Sequence, residues 1–519
     1  MEQCVGEKKL FYNHTSDPLP GSLKEQQIFA EIQNNFSKQF EQYFPDKQAA
    51  KTIVILPSLT LDQQMLRKIR GQVYYEERML CLLMLLRMPM TKIVFVTSIP
   101  IDATIVDYYI HMLPGITGNH ARNRLTMLSC YDASAKSLTE KILERPRLIE
   151  KIKQQIADKD AAHIACFNVT NLERTLAVQL GIPVYGTDPD LLYLGTKSGS
   201  RKLFKVCGIA VPDGYEDVKN REAVIHALAN LKKKNPSLCK AVVKMNDGFG
   251  GEGNAVFEYE DIEDDLLSEK IEDALLHQLK IVATDVNEKL YFEKFDTMGG
   301  IVEIFVEGAI KASPSVQCRI NPLKQTDILS THDQLLGGMD KQIFLGAFFP
   351  ASGEYSVDIA RAAGAVSEEL AMYGVLGRFS IDFISVKENN KWKHYGIEIN
   401  LRKGGTTHPY LMLNFLTDGT YNTNTGEYIT ASGNKRFYFA SDNVSSERYK
   451  GLTPQDLIDI AMFHSLMYDG TTQEGVMFHL MGALSQYGKL GVVCIGRTRE
   501  KAWQFYEKVI HVLDYECSY

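Results

Sequence analysis

The sequence predicts an α/β fold in which a doubly wound parallel sheet is followed by two α+β lobes. Three observations carry that expectation. From Thr52 to Leu180 short apolar runs alternate with segments of helical period; a strand, a glycine-rich loop and a second strand occupy Ala241 to Tyr259; and Gly377 to Pro409 reads as a hairpin with one apolar and one polar face. A chain of 519 residues exceeds one core, and 45% hydrophobic content is ample to fill several.

The 57 Lys and Arg against 64 Asp and Glu give a net charge of −7, spread without a basic stripe, which argues against a nucleic-acid partner. Nine cysteines (4, 81, 130, 166, 207, 239, 318, 494 and 517), odd in number and without a C-x-x-C pair, read as reduced thiols in a reducing compartment. The first ten residues hold no apolar h-region, and the longest apolar run, Met79 to Leu86, is bounded by Arg78 and Arg87 and too short to span a bilayer. A cytoplasmic protein without a membrane partner is expected, with self-association into a homo-oligomer left open.

Residues 1–48 read as a polar extension with an amphipathic helix over Lys24 to Phe44 that packs on the next lobe. Residues 49–190 form the first α/β domain. Its strands are Thr52–Leu56, Lys92–Thr97, Arg124–Ser129 and His163–Phe167, and its helices Asp62–Ile69, Tyr75–Leu86, Ala103–Met112, a long one around Leu138–Ile156, and Asn171–Leu180. Parallel sheets of this kind bind ligands at the carboxyl ends of their strands, where Ser58, Thr97, Ser98 and Asn168 stand as candidate substrate contacts. Each also reads as a cap of the helix that follows.

Residues 191–300 form a small lobe. A loop that holds Lys197 and Arg201 runs into a short helix, at whose start a cation is useful mainly if an anion is bound. Strand Ala241–Lys244 leads through Gly248, Gly250, Gly251 and Gly253 into strand Ala255–Tyr259. The glycine spacing matches the dinucleotide fingerprint, but a strand follows where that motif needs a helix, and no Walker A sequence is present. A strand, flap and strand instead let backbone N–H groups cover phosphates while Lys244 neutralises them. Protein kinases do likewise, but the H-R-D and D-F-G signatures are missing. A plain glycine-rich turn is the alternative.

Residues 301–440 form a large lobe. In the run Ile301 to Val306, residues Glu303 to Val306 offer a backbone edge for adenine, with Glu307 near the ribose. Ser315, Gln317 and Arg319 alternate with apolar residues, which places Arg319 toward a phosphate or substrate carboxylate, or simply at the surface. His332 and Asp333 read as turn residues. In the hairpin, a turn centred on Asn390 sets Asp382 opposite Glu398 with Asn400 on the same face, at Cβ separations of roughly 5 Å. Two carboxylates so close repel unless a cation lies between them, and oxygen ligands select Mg²⁺, whose shell phosphate oxygens complete. The hairpin therefore predicts a nucleotide; a polar face that meets only water is the alternative. Arg402, Lys403, Gly404, Gly405, Thr406, Thr407 and His408 follow, cations and flexible backbone suited to anions beside a metal. Leu416 to Asn434 reads as loop. Residues 441–519 form a last α/β segment, with helices Pro454–Tyr468, Gly475–Tyr487 and Arg499–Leu513, strand Gly491–Gly496, and His464 and His479 among core or edge positions.

In that order, a strand-borne lysine before a glycine flap, a Glu-led apolar linker and Asp...Glu-x-Asn on neighbouring strands resemble the ATP-grasp carboxylate-amine ligases. The runs VYYEERMLCLLMLLRMP, FNVTNLERTLAVQLGIP, GTKSGSRKLF, SPSVQCRI, STHDQLLGG and EINLRKGGTTHP resemble more closely the pheganomycin-type peptide ligases, over about Thr52 to Leu513. The resemblance implies an ATP-grasp fold with ATP between two lobes. It implies phosphate contacts from Lys197 and Lys244, a flap at Gly248 to Gly253, and an adenine and ribose linker at Glu303, Phe305, Val306 and Glu307. It places Mg²⁺, as two ions, on Asp382, Glu398 and Asn400. Related D-alanine ligases carry a cation where this chain has Ser380, so Arg378 or Arg402 takes that work, and their ribose acid lies further past the linker than Glu307.

The implied reaction phosphorylates a carboxylate and lets an amine displace phosphate, giving an amide. Arg402, Arg319 and Lys244 are the catalytic candidates, and Ser58, Thr97, Ser98, Asn168, Arg378, Lys403, Thr406 and His408 the contacts for an amino-acid or peptide substrate. An ATP-binding scaffold or sensor, or a small-molecule kinase, is the alternative.

Overall fold

The computed structural model describes residues 17–60, 66–67, 69–247, 253–260, 267–283, 287–337 and 343–518. The first sheet contains β1 (Lys51–Leu56), β2 (Thr91–Thr97), β3 (Leu125–Ser129) and β4 (Ala162–Cys166), all parallel, in the order β3-β2-β1-β4. β1, β4 and nearly all of β2 are buried on both faces, so they read as apolar runs, while the edge strand β3 is partly exposed. Ile53, Ile55, Ile93 and Phe95 enter one core with Gln72–Arg87 and helix Ala103–His111, while Val54, Leu56, Val94 and Val96 enter another with helices Leu138–Leu143, Pro146–Gln155 and Asn171–Leu180. Helix Leu23–Tyr43 closes the second face through Phe29, and Gln33 bonds the Val184 backbone at 3.1 and 2.8 Å. Strand order reverses between β1 and β4, where such sheets take ligands.

The second sheet is antiparallel, with β5 (Gly214–Val218), β6 (Lys240–Met245), β7 (Asn254–Glu258), β8 (Leu279–Ile281) and β9 (Gly300–Ile304) in the order β5-β9-β6-β7-β8. Helices Arg221–Lys234, Leu267–Gln278 and Glu288–Met298 supply its core.

The central sheet has nine strands, in the order β10 (Lys311–Ala312), β14 (Gly377–Glu388), β11 (Pro314–Ile320), β12 (Thr326–Gly337), β13 (Ile343–Phe349), β18 (Phe437–Ser445), β20 (Lys489–Gly496) and β19 (Gly475–His479), with β15 (Lys391–Asn400) also paired to β14. A separate two-stranded ribbon, β16 (Thr420–Asn422) and β17 (Glu427–Ile429), lies within the stretch read as loop.

Several expectations are corrected. The long helix over 138–156 is two, because Pro146 lacks an N–H and starts a new helix at its first position. Gln72–Arg87 coils as a 3₁₀ helix rather than an α-helix, with Met79 to Met84 and Leu86 all buried. Gly475–Tyr487 is a strand, β19, followed by helix Gly482–Tyr487, since GVMFH is too short an apolar run to declare its period. His332 and Asp333 stand in the 12-residue β12, not in a turn. The segment 441–519 does not stand apart: most of β18, and all of β19 and β20, extend the central sheet and share a core with β1 and β2. Most of the helix expected over Asp62–Ile69 lies outside the described residues.

Candidate active site

β14 and β15 are joined by Asn389 and Asn390, both with positive φ (49° and 60°), as a two-residue hairpin turn requires. That turn pairs Glu388 with Lys391, and the ladder runs unbroken to Phe383 opposite Gly396. Continued unchanged, it would set Asp382 against Ile397. A register shift between Asp382 and Phe383 instead places Asp382 opposite Glu398 and Ser380 opposite Asn400, so one bulge returns the acids to a common face. The apolar faces, with Phe379, Ile381, Phe383 and Ile399, pack on helix Ser356–Tyr373 through Ile359, Ala363, Val366 and Leu370.

β11 lies on the other side of β14. Ser315 faces Asp382, Gln317 faces Ser380 and Arg319 faces Arg378, a polar surface three residues deep on each strand. Asp382 accepts hydrogen bonds from Gln334 Nε2 and Asn400 Nδ2, both at 3.0 Å. Burial, then the Glu398 charge, pushes the Asp382 carboxyl up to about 6, against the pull of Ser315, Lys197 and Arg402. Two opposed carboxylates under this strain, with an amide beside them, form an oxygen donor set that fits Mg²⁺.

Lys197 reaches this surface from the first turn of helix Lys197–Val206, where the Thr196 hydroxyl accepts from the Gly199 N–H at 3.0 Å. Gly195 fits against the Ile399 carbonyl, Gly396 against the Phe204 ring, and Ser200 Oγ accepts from the Ile399 N–H at 3.0 Å, so the helix start lies on β15. Lys197 Nζ thereby pairs with Glu398. Asn246, just beyond β6, ties in the other lysine strand: its carbonyl accepts from the Lys197 N–H at 3.2 Å and its Oδ1 from the Ser198 N–H at 3.0 Å. Lys244 on β6 is buried and pairs with Glu303 at 2.6 Å, while Glu303 also takes Arg201, which is 1% exposed.

The linker differs from its expected form. β9 lies between β5 and β6, the Ile304 N–H goes to the Asp213 carbonyl at 2.8 Å and the Phe305 N–H to the Lys240 carbonyl at 3.1 Å. Glu303 is thus a buried ion-pair acid within the sheet, and the N–H groups of Ile304 and Phe305 are taken by backbone bonds. Phe305 lies beside Lys311, whose Nζ is 4.8 Å from the ring centre, and Glu307 is exposed. Gly253 accepts through its carbonyl from the Met245 N–H at 3.0 Å, whereas Gly248, Gly250 and Gly251 of the expected flap lie outside the described residues.

Four residues expected at a substrate are spent on internal bonds. Ser58 Oγ bonds Thr60 at 2.7 Å, Thr97 donates to the Ile99 carbonyl at 2.7 Å, Ser98 lies between Glu76 and Lys141, and Asn168 brackets the Thr60 backbone at 2.8 and 2.9 Å. Lys403 is likewise structural: its Nζ donates to the Cys166 carbonyl and its N–H to that of Phe167, pinning the glycine loop to the end of β4 at the reversal of strand order. The Thr406 carbonyl takes Gln317 Nε2 at 2.7 Å. His408 is buried against His479 at 2.9 Å, and Asp442 meets His479 at 2.6 Å and Arg78 at 3.3 Å. Burial opposes the Asp442 charge, but both histidines and Arg78 hold its carboxyl well below the usual range; the same burial, with His479 beside it, holds His408 low. Asp442 and Arg78 already compensate each other there. Arg402, after a turn closed by its N–H on the Asn400 carbonyl at 2.7 Å, lies within the field of Glu398 and Asp382.

Sequence reasoning read Arg201 as a cation for an anion rather than as the partner of Glu303, and did not assign Ser315 or Gln334 to the site. Ser315 was visible in the alternation of β11; Gln334 was not, because its strand was read as a loop.

A sequence profile of the family described as "IQCH-like, ATP-grasp" matches residues 190–278 and 265–424, the region that holds Lys197, Lys244, Glu303 and the Asp382–Glu398 hairpin. The fold is the ATP-grasp fold. A second profile, "PGM1 C-terminal domain", matches residues 456–509. The chain is similar to L-propargylglycine–L-glutamate ligase of Streptantibioticus cattleyicolor, 28% identical over 464 residues, 87% of this chain and 92% of that one. It is also similar to IQ motif-containing protein H of Danio rerio, 22% identical over 524 residues, 91% of this chain but 49% of that one, so it spans about half of that relative. Among solved structures, the ATP-grasp fold is shared with an ADP complex of N5-carboxyaminoimidazole ribonucleotide synthetase (TM-score 0.51, 15% identity, 90% of this chain and 97% of the other) and with biotin carboxylase of Campylobacter jejuni (TM-score 0.52, 14% identity, 90% and 94%).

Proposed function

We propose that this ATP-grasp protein is an ATP-dependent ligase that forms an amide between the carboxylate of one small molecule and the amine of another. The observation that carries the reading is the acid pair Asp382–Glu398, set across two strands beside Asn400 and met by Lys197 from the small lobe. The relative whose name states ligation of L-propargylglycine to L-glutamate supports amino acids as the substrate class.

A carboxylate oxygen attacks the γ-phosphorus of ATP and ADP leaves; the amine then attacks the acyl carbon, inorganic phosphate leaves and the amine loses a proton. Both steps bring anions together, so the protein's work is charge cancellation and exclusion of water. Asp382, Glu398 and Asn400 would hold Mg²⁺, which would supply positive charge at the triphosphate. Lys197 and Lys244, each now resting on an acid, turn toward phosphate when stronger negative charge arrives, and Arg402 steadies the transferring phosphoryl group. Exclusion of water from this surface would protect the acyl phosphate from hydrolysis.

The test is product mass. Incubated with ATP, Mg²⁺ and a mixture of proteinogenic amino acids, the protein is expected to release ADP and phosphate together with a species lighter than two amino acids by one water. A phosphorylated amino acid as the sole product makes it a kinase, and ATP binding without turnover makes it a scaffold.

A further inference from the structure

Arg319 and Arg378 occupy directly opposite positions on β11 and β14, an arrangement in which like charges repel. Asp327 compensates Arg319, accepting from its Nε at 2.9 Å and its Nη2 at 2.6 Å. Arg378 has no such relief: its Nη1 is buried and without a hydrogen-bond partner among the described residues. Burial, then the Arg319 charge, lowers its affinity for its proton, yet a guanidinium does not deprotonate in proteins. A half-buried cation with one buried, unpartnered N–H group is placed for a ligand that brings the missing negative charge.

A second orphan faces the same place. The Tyr185 hydroxyl is also buried without a partner among the described residues, and it lies within the electrostatic reach of both arginines. Two glycines bring it there: at Gly377 (φ +101°) a Cβ would lie 2.9 Å from Gly186 Cα, so the N-terminal domain and β14 touch backbone to backbone beside Tyr185 and Arg378. The Tyr185 N–H bonds the Ile164 carbonyl of β4 at 2.9 Å, which puts this seam next to the strand that Lys403 anchors.

We propose that Arg378, flanked by Arg319 and the Tyr185 hydroxyl, binds a substrate carboxylate other than the one that is phosphorylated. The planar guanidinium fork matches a carboxylate in two parallel hydrogen bonds, and a phenol donates a third. Arg378 is four residues from Asp382 on one strand, roughly 13 Å along it. The subsite is therefore separate from the triphosphate, and within reach of the far end of an amino acid or dipeptide once the arginine's own length is counted. That the carboxylate belongs to a ligase substrate rests on the function proposed above; that a carboxylate binds does not.

Two measurements on the full chain separate these points. The first is thermal melting with glutarate, which has carboxylates but no amine, and separately with inorganic phosphate. Glutarate is expected to stabilise the wild-type protein and to leave Arg378→Gln unmoved, while ATP with Mg²⁺ still stabilises that variant. A wild-type protein unmoved by glutarate, an Arg378→Gln variant stabilised as much as wild type, or phosphate acting as strongly as glutarate overturns the proposal. The second is ADP release driven by the amino-acid mixture. Arg378→Gln is expected to raise the half-saturating amino-acid concentration about 10- to 100-fold with that for ATP unchanged, and Arg378→Lys to restore part of the loss. An amino-acid requirement unchanged within twofold overturns the proposal. If no amino acid drives ADP release in the wild type, the ligase reading falls and the glutarate result alone decides the subsite.

Discussion

Glu398→Gln separates the site from the fold, because Glu398 has two opposed charge relations. It attracts Lys197, whose side chain is 9% exposed against 24% for Glu398, and it repels Asp382, whose carboxyl it helps lift to about 6. Neutralising it loses a partly exposed ion pair of about 1 kcal/mol or less and removes a repulsion of similar size, so net stability should change by less than about 1 kcal/mol. Catalysis has no such cancellation: deleting one charge where negative charge accumulates costs about 100- to 1,000-fold in rate. The assay is amino-acid-dependent ADP release with saturating ATP and Mg²⁺, with thermal melting alongside. A variant that melts like the wild type and turns over at more than about a tenth of its rate would refute the placement of the metal.

Three further outcomes follow from the same geometry. Glu303→Gln leaves Lys244 and Arg201 buried without their shared acid and should destabilise the small lobe by about 3–5 kcal/mol, read by chemical denaturation; a loss under about 1 kcal/mol would mean that the triad is not the lobe's internal support. Because Asp382 titrates near 6, it is charged above that pH and holds a competing proton below it, so the Mg²⁺ concentration for half-maximal ADP release should climb about tenfold per pH unit below 6 and stay level above it; a requirement independent of pH from 5 to 7 contradicts the assignment. Gly377→Ala sets a Cβ 2.9 Å from Gly186 at a φ of +101° and should cost on the order of 1–2 kcal/mol from the backbone alone, with a rise in the amino-acid requirement as the seam opens; an unchanged melting point would show that the seam yields freely.

Much of the site was legible because it rests on local periodicity. Alternation in Phe379 to Phe383 and in Tyr395 to Leu401 shows which side chains share a face, and a lysine before a glycine loop needs no long-range contact to be noticed. The register was reached by a different route: the turn is two residues rather than one, and a bulge makes up the difference, which no pattern of types reveals. Ser58, Thr97, Ser98 and Asn168 could not be placed from sequence because small polar residues at strand ends serve caps and ligands equally; in the structure each makes internal hydrogen bonds. Glu303 looked like a linker acid since nothing near it in sequence announces Arg201, about a hundred positions away.

By itself, then, the sequence determined the parallel sheet, the strand pair on either side of the glycine loop and the acidic hairpin, all features whose cause lies within some tens of residues. Tertiary structure decided what those elements do to one another: that residues 441–519 complete the central sheet, that Lys403 is an anchor, that Glu303 is a buried counter-ion, and that Arg378 Nη1 and the Tyr185 hydroxyl are buried near each other's charge without hydrogen-bond partners among the described residues. The physical reason is that burial and charge compensation depend on distance in space, and residues hundreds of positions apart settle them only once the chain has closed.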